Sequence, residues 1–291
     1  WRKMLESHEG WDGLLIASRT YSIPTVLAAA MELGIPILVE KPVAMNSDIL
    51  NKLRHKARAP VCVGYNRRFY EPVQFARKFV HEGGPLLANM SLPESISITP
   101  ENLNDRSYLY PFFENSCHGI DLLRFIFGDL KAESVHRLRA VSGEIVGLGA
   151  ILNSKRKDII QLTANWGTPA NFALSLDRPG RRVELKPFEM ATVYEGMDVV
   201  QPTDDCPNRR YIPKVVQKVN LSQIDLREKP GFVKQAEAFR HVLEGKPLPP
   251  DSATLDDAWA AMKLCEELAG ESCPTETERH VPLLNPSNSK A

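Results

Sequence analysis

Short apolar runs alternate with amphipathic segments in the first quarter of the chain. The apolar runs predict three buried strands, at residues 12–18 (DGLLIAS), 36–40 (PILVE) and 61–65 (VCVGY). The segments between them have helical composition, at residues 24–33 and 47–57. Strands that alternate with helices through short connections form right-handed βαβ units, so we expect a parallel sheet here.

The pattern changes beyond residue 70. Helices are predicted at residues 71–82, 116–127, 233–243 and 255–269. Short β-rich runs separated by turn residues lie between the second and third of these helices, at residues 132–142, 144–153, 157–166, 170–178 and 181–196. This part of the chain predicts a large, mostly antiparallel sheet, so the fold class is α/β followed by α+β.

Charge and composition exclude several classes of protein. The 36 basic and 36 acidic residues balance, so no net field attracts nucleic acid or an anionic membrane. No apolar run approaches the roughly 20 residues of a membrane span. The five cysteines are scattered without a CxxC pair, which argues against a disulfide framework or a cysteine zinc site. A reducing cytoplasm is the simplest compartment, and no metal is expected.

Polar residues follow each of the three predicted parallel strands. Arg19 follows the first strand, Glu40-Lys41-Pro42 the second, and Asn66 to Arg68 the third. Open parallel sheets bind ligands in the crevice outside the carboxyl ends of their strands. A lysine that polarises or deprotonates a hydroxyl needs such a rigid position. The alternative is that these are ordinary charged surface loops.

A second group of polar residues begins the helix predicted at 116–127. Asn115 or Ser116 is expected to cap this helix, which places Glu114, His118 and Asp121 on one face. A histidine there could move a proton at neutral pH, with an acid orienting its ring. The alternative is a structural histidine at a helix entry. Cys117 does not form a dyad with His118, because helical neighbours point about 100° apart.

These segments resemble the Gfo/Idh/MocA oxidoreductases. The resemblance spans most of residues 12–270 and rests on LLIASRT, GIPILVEKPVAM, VGYNRRF, CHGIDLLRFIFGD and the segment from GFVKQAEAF to KLCEEL. It implies an NAD(P)-dependent enzyme that acts on sugars, cyclitols or sugar-acid derivatives. The implied domains are part of a Rossmann domain at 1–66, a substrate and oligomerisation domain at 67–270, and a mobile tail at 271–291. A homodimer or homotetramer through the C-terminal sheet is also implied.

The resemblance also implies the site. Lys41 and His118 are the implied catalytic pair, with Glu114 as a third member where many relatives have aspartate. The implied cofactor-binding residues are Ala17, Ser18, Arg19, Glu40, Lys41, Pro42 and Asn66. The implied substrate-binding residues are Arg68, Asp121 and Tyr108. In relatives, the peptide bond that corresponds to Lys41–Pro42 is often cis.

One departure from the family concerns the cofactor. The chain has no GxGxxG turn, and the residue that would choose between NAD and NADP is also absent. The sequence is expected to be an incomplete copy of an enzyme, as Trp1 in place of methionine suggests. The alternatives are a truncated, non-catalytic binding or regulatory protein, or a site completed by another chain. As written, the chain is expected to be poorly soluble and to bind NAD(P) weakly.

Overall fold

The computed structural model describes residues 1–94, 111–141, 143 and 145–273. Within these ranges the chain forms two sheets, one of three strands and one of eight. Two predictions fall elsewhere: Tyr108 in the substrate site and the tail beyond residue 273 lie outside the described residues.

The small sheet is parallel, which confirms the prediction for the first part of the chain. Its strands lie in chain order, with Ile16 opposite Val39 and Val39 opposite Val63. Three helices accompany them. The bounds are α1 Arg2–Glu6, β1 Leu14–Ile16, α2 Ile23–Ala30, β2 Ile37–Val39, α3 Ser47–Arg54 and β3 Val61–Val63.

Local sequence explains where these elements begin and end. Every residue of β2 and β3 is buried, which matches their unbroken apolar runs. The side chain of Asn46 caps α3 by accepting the backbone N–H of Asp48 at 2.9 Å. Gly34 has φ +67° after the turn that extends α2, a backbone region that favours glycine.

The large sheet is mixed. Its strand order is β11-β10-β9-β8-β4-β7-β6-β5, and β4 with β7 is its one parallel pair among the described residues. Its strands are β4 Leu87–Glu94, β5 Leu130–Arg139, β6 Ile145–Ser154, β7 Ile159–Trp166, β8 Ala173–Arg178, β9 Arg181–Leu185, β10 Met190–Val200 and β11 Arg210–Asn220. The prediction of a mostly antiparallel sheet is confirmed.

Three features of this sheet differ from the predicted runs. The strand β4 was not predicted, since Asn89, Ser91 and Pro93 lower the β propensity of its sequence. The strand β11 was not predicted either, because Pro213, Lys214 and Lys218 interrupt its apolar residues. The single run predicted at 181–196 is two strands, since a turn at residues 186–189 separates β9 from β10.

The described ranges contain five further helices: α4 Glu71–His81, α5 Cys117–Phe127, α6 Gln223–Arg227, α7 Phe232–Leu243 and α8 Leu255–Ala269. A continuous apolar core joins both sheets and their helices. Helix α5 lies close to β4, since a Cβ on Gly119 would meet Leu92 at 2.3 Å. Helix α8 packs on α3, and a bridge pairs Ala253 with Val63 of β3. Helix α8 and the residues before it therefore pack against the small sheet.

The loop between α6 and α7 lies directly on the turn that follows β3. Gly231 in this loop has φ +76°, and a Cβ at that position would lie 2.2 Å from the backbone oxygen of Asn66. Both the backbone conformation and the available space therefore require glycine at this position.

We expect Gly231→Ala to lower the free energy of unfolding by about 2 to 4 kcal/mol, because left-handed backbone strain and a backbone clash add. Urea unfolding followed by circular dichroism measures this loss. Gly245→Ala is the matched control, since Gly245 has φ +73° but nothing within 4 Å of an added Cβ. It should lose only about 1 kcal/mol, from strain alone. Equal losses in the two variants would contradict the tight contact with Asn66.

Candidate active site

The loops that follow the three parallel strands converge on the segment that leads into α5. The Thr20 hydroxyl donates to Glu114 Oε1 at 3.2 Å. The Lys41 ammonium donates to the backbone oxygen of Glu114, also at 3.2 Å. Arg68, after the third strand, bonds Asp121 on α5 itself. The strand ends of the small sheet, where the crevice is predicted, therefore lie against α5 and the segment before it.

The segment before α5 is a π-helical turn, Phe112–Ser116, in place of the predicted helix start. No side chain caps α5, so the predicted capping role of Asn115 or Ser116 is wrong. The Ser116 hydroxyl and the Asn115 amide instead donate to the two carboxylate oxygens of Glu94. The wider π turn replaces α-helical spacing between Glu114 and the helix, and such turns are frequent at functional sites.

His118 is buried on the first turn of α5. Its ring meets the edge of Tyr65, with ring centroids 5.5 Å apart, and its Nδ1 has no hydrogen-bond partner among the described residues. Burial lowers the pKa of His118 well below its usual value, and the cations Lys41, Arg67 and Lys229 lower it further. The imidazole is therefore neutral at physiological pH.

Arg68 and Asp121, predicted to bind substrate, bind each other. Their bidentate ion pair has N–O distances of 2.8 and 2.5 Å, and both side chains are buried. The second carboxylate on this guanidinium is Asp257 of α8, at 3.2 Å. Burial alone would lower the pKa of Arg68, but the two carboxylates raise it, so the guanidinium stays charged. These contacts join the turn after β3 to α5 and α8, and substrate binding by the pair stays a prediction.

Arg67, the neighbour of Arg68 in the chain, has entirely different contacts. Residues 66–69 form a 3₁₀ turn, in which successive side chains project about 120° apart. The Arg67 guanidinium lies over the rings of Phe172 and Phe188, at 4.8 and 5.8 Å from their centroids. Its Nη1 is buried and has no hydrogen-bond partner among the described residues.

The residues predicted to bind the cofactor lie along the same edge. Ala17, Ser18 and Arg19 are exposed directly after β1. Glu40 accepts the backbone N–H of Lys41 at 3.2 Å, and the Lys41–Pro42 peptide bond is cis. The Asn66 amide donates to the backbone oxygen of Pro230 at 2.8 Å, so this side chain fastens the loop before α7.

Sequence reasoning missed Glu94 as a residue of this site. Burial raises the pKa of Glu94, while Ser116, Asn115 and the nearby cations oppose that shift. The signal was available in β4: Glu94 continues the alternation of Ala88, Met90 and Leu92, which places an acid on the face that is buried. A buried acid with a shifted pKa at a strand end is a candidate site residue.

The described residues include neither a side-chain group that could hold a metal ion nor a helix that could cross a membrane. Within the described ranges, no three histidine, cysteine, aspartate or glutamate side chains are grouped so that they could hold a metal ion. None of the helices in the same part of the chain combines the length and the apolar character that a membrane-crossing helix needs.

Comparison with known proteins finds dehydrogenases. Inositol 2-dehydrogenase 1 of Saccharopolyspora erythraea is 29% identical over 144 residues, which are 46% of this chain and 40% of that protein. The chain therefore aligns with less than half the length of this curated relative. A dehydrogenase from Clostridium difficile has a similar structure, with a TM-score of 0.67 and 16% identity over 91% of this chain and 81% of that one.

Levoglucosan dehydrogenase in complex with NADH and levoglucosan is also similar, with a TM-score of 0.67 and 16% identity over 94% of this chain and 83% of that one. No protein-family model matches the chain. The fold is that of the Gfo/Idh/MocA-type dehydrogenases, which confirms the resemblance that the sequence motifs indicated.

The neutral state of His118 makes stability depend on pH. In the unfolded chain a histidine takes up a proton near pH 6.5, whereas folded His118 does so only at much lower pH. Below about pH 6.5 the unfolded state therefore binds the extra proton, and the free energy of unfolding falls by up to about 1.4 kcal/mol per pH unit.

We expect His118→Asn to remove this component, because asparagine does not titrate. Urea midpoints at pH 7.5 and 5.5 should then differ less in the variant than in the wild type. The exposed His241, replaced by asparagine, is the control and should keep the wild-type difference. An unchanged difference in the His118 variant would contradict a buried neutral ring.

Proposed function

We propose that this protein is an oxidoreductase that transfers a hydride between NAD(P) and a secondary alcohol of a sugar, cyclitol or sugar-acid derivative. One observation carries the proposal: a lysine at the end of a parallel strand and a neutral buried histidine meet at the same crevice. Lys41 reaches the backbone of Glu114, four residues before His118. The names of the similar proteins support the same class of reaction.

The residues present fit the nicotinamide end of a dinucleotide. The backbone N–H of Glu40 donates to the backbone oxygen of Ile16 at 2.9 Å. This bond places the exposed segment 17–19 beside Glu40-Lys41-Pro42 at the strand ends. This edge is where open parallel sheets hold their ligands. When bound, the nicotinamide would supply the hydride acceptor.

The chain's own residues would handle the proton. Oxidation of a secondary alcohol removes a hydride from carbon and a proton from oxygen, which leaves a ketone. The Lys41 side chain, held by the Glu114 carbonyl, would contact the hydroxyl and transfer its proton, with His118 as the relay. The Glu114 carboxylate would hold the crevice together through Thr20. Asp121 and Arg68 would support α5 from behind.

The arrangement of the whole protein is also a proposal. Residues 1–66 would hold the cofactor and residues 67–270 the substrate, in the cytoplasm. Large apolar side chains are exposed on the eight-stranded sheet and its hairpin, namely Leu87, Ile159, Met197, Val199, Tyr211 and Ile212. Since such surfaces mark interaction sites, we propose a homodimer or homotetramer through this sheet, which a monomeric mass in light scattering would contradict.

We expect Lys41→Met to lower kcat by at least about 100-fold, because proton transfer by a positioned side chain contributes that much or more. Oxidation of myo-inositol and of a panel of aldoses, with NAD and with NADP, measures turnover. NADH fluorescence titration should give the same dissociation constant for variant and wild type. The exposed Lys52, replaced by methionine, is the control.

Normal turnover by the Lys41 variant would refute its catalytic role. Turnover of no substrate by the wild type, with tight binding of a sugar, would favour the alternative of a non-catalytic binding protein.

A further inference from the structure

Two buried nitrogen donors beside the catalytic crevice lack an acceptor among the described residues. One is Nη1 of Arg67, on the turn that follows β3. The other is Nε1 of Trp166, the last residue of β7. Buried donors in proteins are nearly always satisfied, so each of these donors is a place where a ligand could supply the acceptor; both residues lie near Glu94, Trp166 by sheet register and Arg67 by its charge.

Sheet register and ring contacts place Trp166 at the crevice. Trp166 lies directly opposite Glu94 in the parallel pair of β4 and β7, so the two side chains share one face. Glu94 bonds Ser116, two residues before His118. The Trp166 ring also meets Phe112, at 6.0 Å between centroids, at the start of the π turn.

The carboxylates of this region already accept hydrogen bonds. Ser116 and Asn115 each bond one oxygen of Glu94, and Thr20 bonds Oε1 of Glu114, while Arg67 acts on Glu94 through its charge without an ion-pair contact. Arg67 makes no ion pair within the described part of the chain, whereas Arg68 next to it makes two. A partly buried guanidinium whose nitrogen lacks an acceptor is unfavourable unless a ligand supplies one.

A second cation stands on the loop opposite. Lys229 is exposed, with its ammonium 4.6 Å from the ring centroid of Phe232. The next residue, Pro230, accepts the Asn66 amide at 2.8 Å, which fixes this loop to the turn that carries Arg67. Lys229 is therefore placed to add positive charge at the mouth of the crevice.

We propose that the alcohol oxidised here carries an anionic group, a carboxylate or a phosphate, and that Arg67 is the residue that selects it. Trp166 would donate a further hydrogen bond to the same group or to a neighbouring oxygen. Lys229 would screen its charge at the entrance. This inference rests on the proposed function for the position of the reacting hydroxyl, but not for the binding of the anion.

A purely structural role for Arg67, which stacks on Phe172 and Phe188 and bonds the Tyr70 side chain, makes a different prediction. If the stacking stabilises the fold, then Arg67→Met should lower the free energy of unfolding. If the role of Arg67 is to bind an anion, the same variant should unfold at an equal or higher urea concentration. The reason is that the substitution removes Nη1, a buried donor without an acceptor.

Calorimetric titration with three sugars tests the proposal. The probes are D-glucuronate for the carboxylate, D-glucose 6-phosphate for the phosphate, and D-glucose as the uncharged match. We expect one or both anions to bind wild-type protein at least about tenfold more tightly than D-glucose, as charge-assisted hydrogen bonds would give. The anionic sugar with the larger gain in affinity over D-glucose shows whether the site selects a carboxylate or a phosphate.

The variants assign that gain to its residues. Arg67→Met should abolish the preference and leave D-glucose within about twofold of its wild-type affinity. Arg67→Lys should keep part of the preference, and Trp166→Phe should reduce it by a smaller factor. Arg58→Met, at an exposed arginine of the α3–β3 loop, is the control and should change nothing.

Equal affinity for all three sugars, binding of none of them, or equal weakening of all three in the Arg67 variant would overturn the inference. Failure of the proposed function is distinguishable. In that case the anion would still bind selectively through Arg67, yet no NAD- or NADP-dependent turnover of it would occur.

Discussion

The buried ion pair between Arg68 and Asp121 is the interaction on which the site depends. It joins the turn after β3 to α5, and Asp257 extends it to α8. Three elements far apart in the chain are thereby fixed around one guanidinium. A buried ion pair stabilises the fold only if its donors and acceptors form hydrogen bonds. Here two N–H groups of the arginine donate to the two oxygens of one carboxylate. The orientation of His118, one turn before Asp121, follows from this anchor.

A second constraint acts at the entrance to α5. The π turn lets Asn115 and Ser116 both reach Glu94, while the backbone of Glu114 holds Lys41. The large sheet and the small sheet are thus linked through five residues of irregular helix. A regular α-helical start would satisfy its own backbone but would rotate these side chains away from their partners. The local irregularity gains its stability from contacts that it makes on both sides.

The sequence predicts the order and type of most elements, because unbroken apolar runs and helical composition are strong local signals. The parallel strands and the helix at 255–269 are examples, and that helix has the predicted bounds. Strand β11 is harder to find in this way, since Pro213 and two lysines interrupt its apolar residues and no alternation of buried and exposed positions results. The convergence of the three strand-end loops was predictable from topology, because parallel strands end at the same edge.

The finer assignment within the site was not predictable from residue types. Arg67 and Arg68 are chemically identical, and only the geometry of the turn sends one to a carboxylate and the other to two aromatic rings. Glu94 continues the buried alternation of β4, but the proline and polar residues of that strand weaken the signal. Long-range contacts such as those of Glu94 with the π turn leave no trace in local sequence.

The divergent directions of the two neighbouring arginines have an evolutionary consequence. Position 68 is bound to the integrity of the fold, so few substitutions there would survive selection. Position 67 makes no ion pair within the described part of the chain, and its codon can change without disturbing that anchor. Related chains could therefore acquire a preference for differently charged substrates through a single base change, while the scaffold one residue away stays fixed.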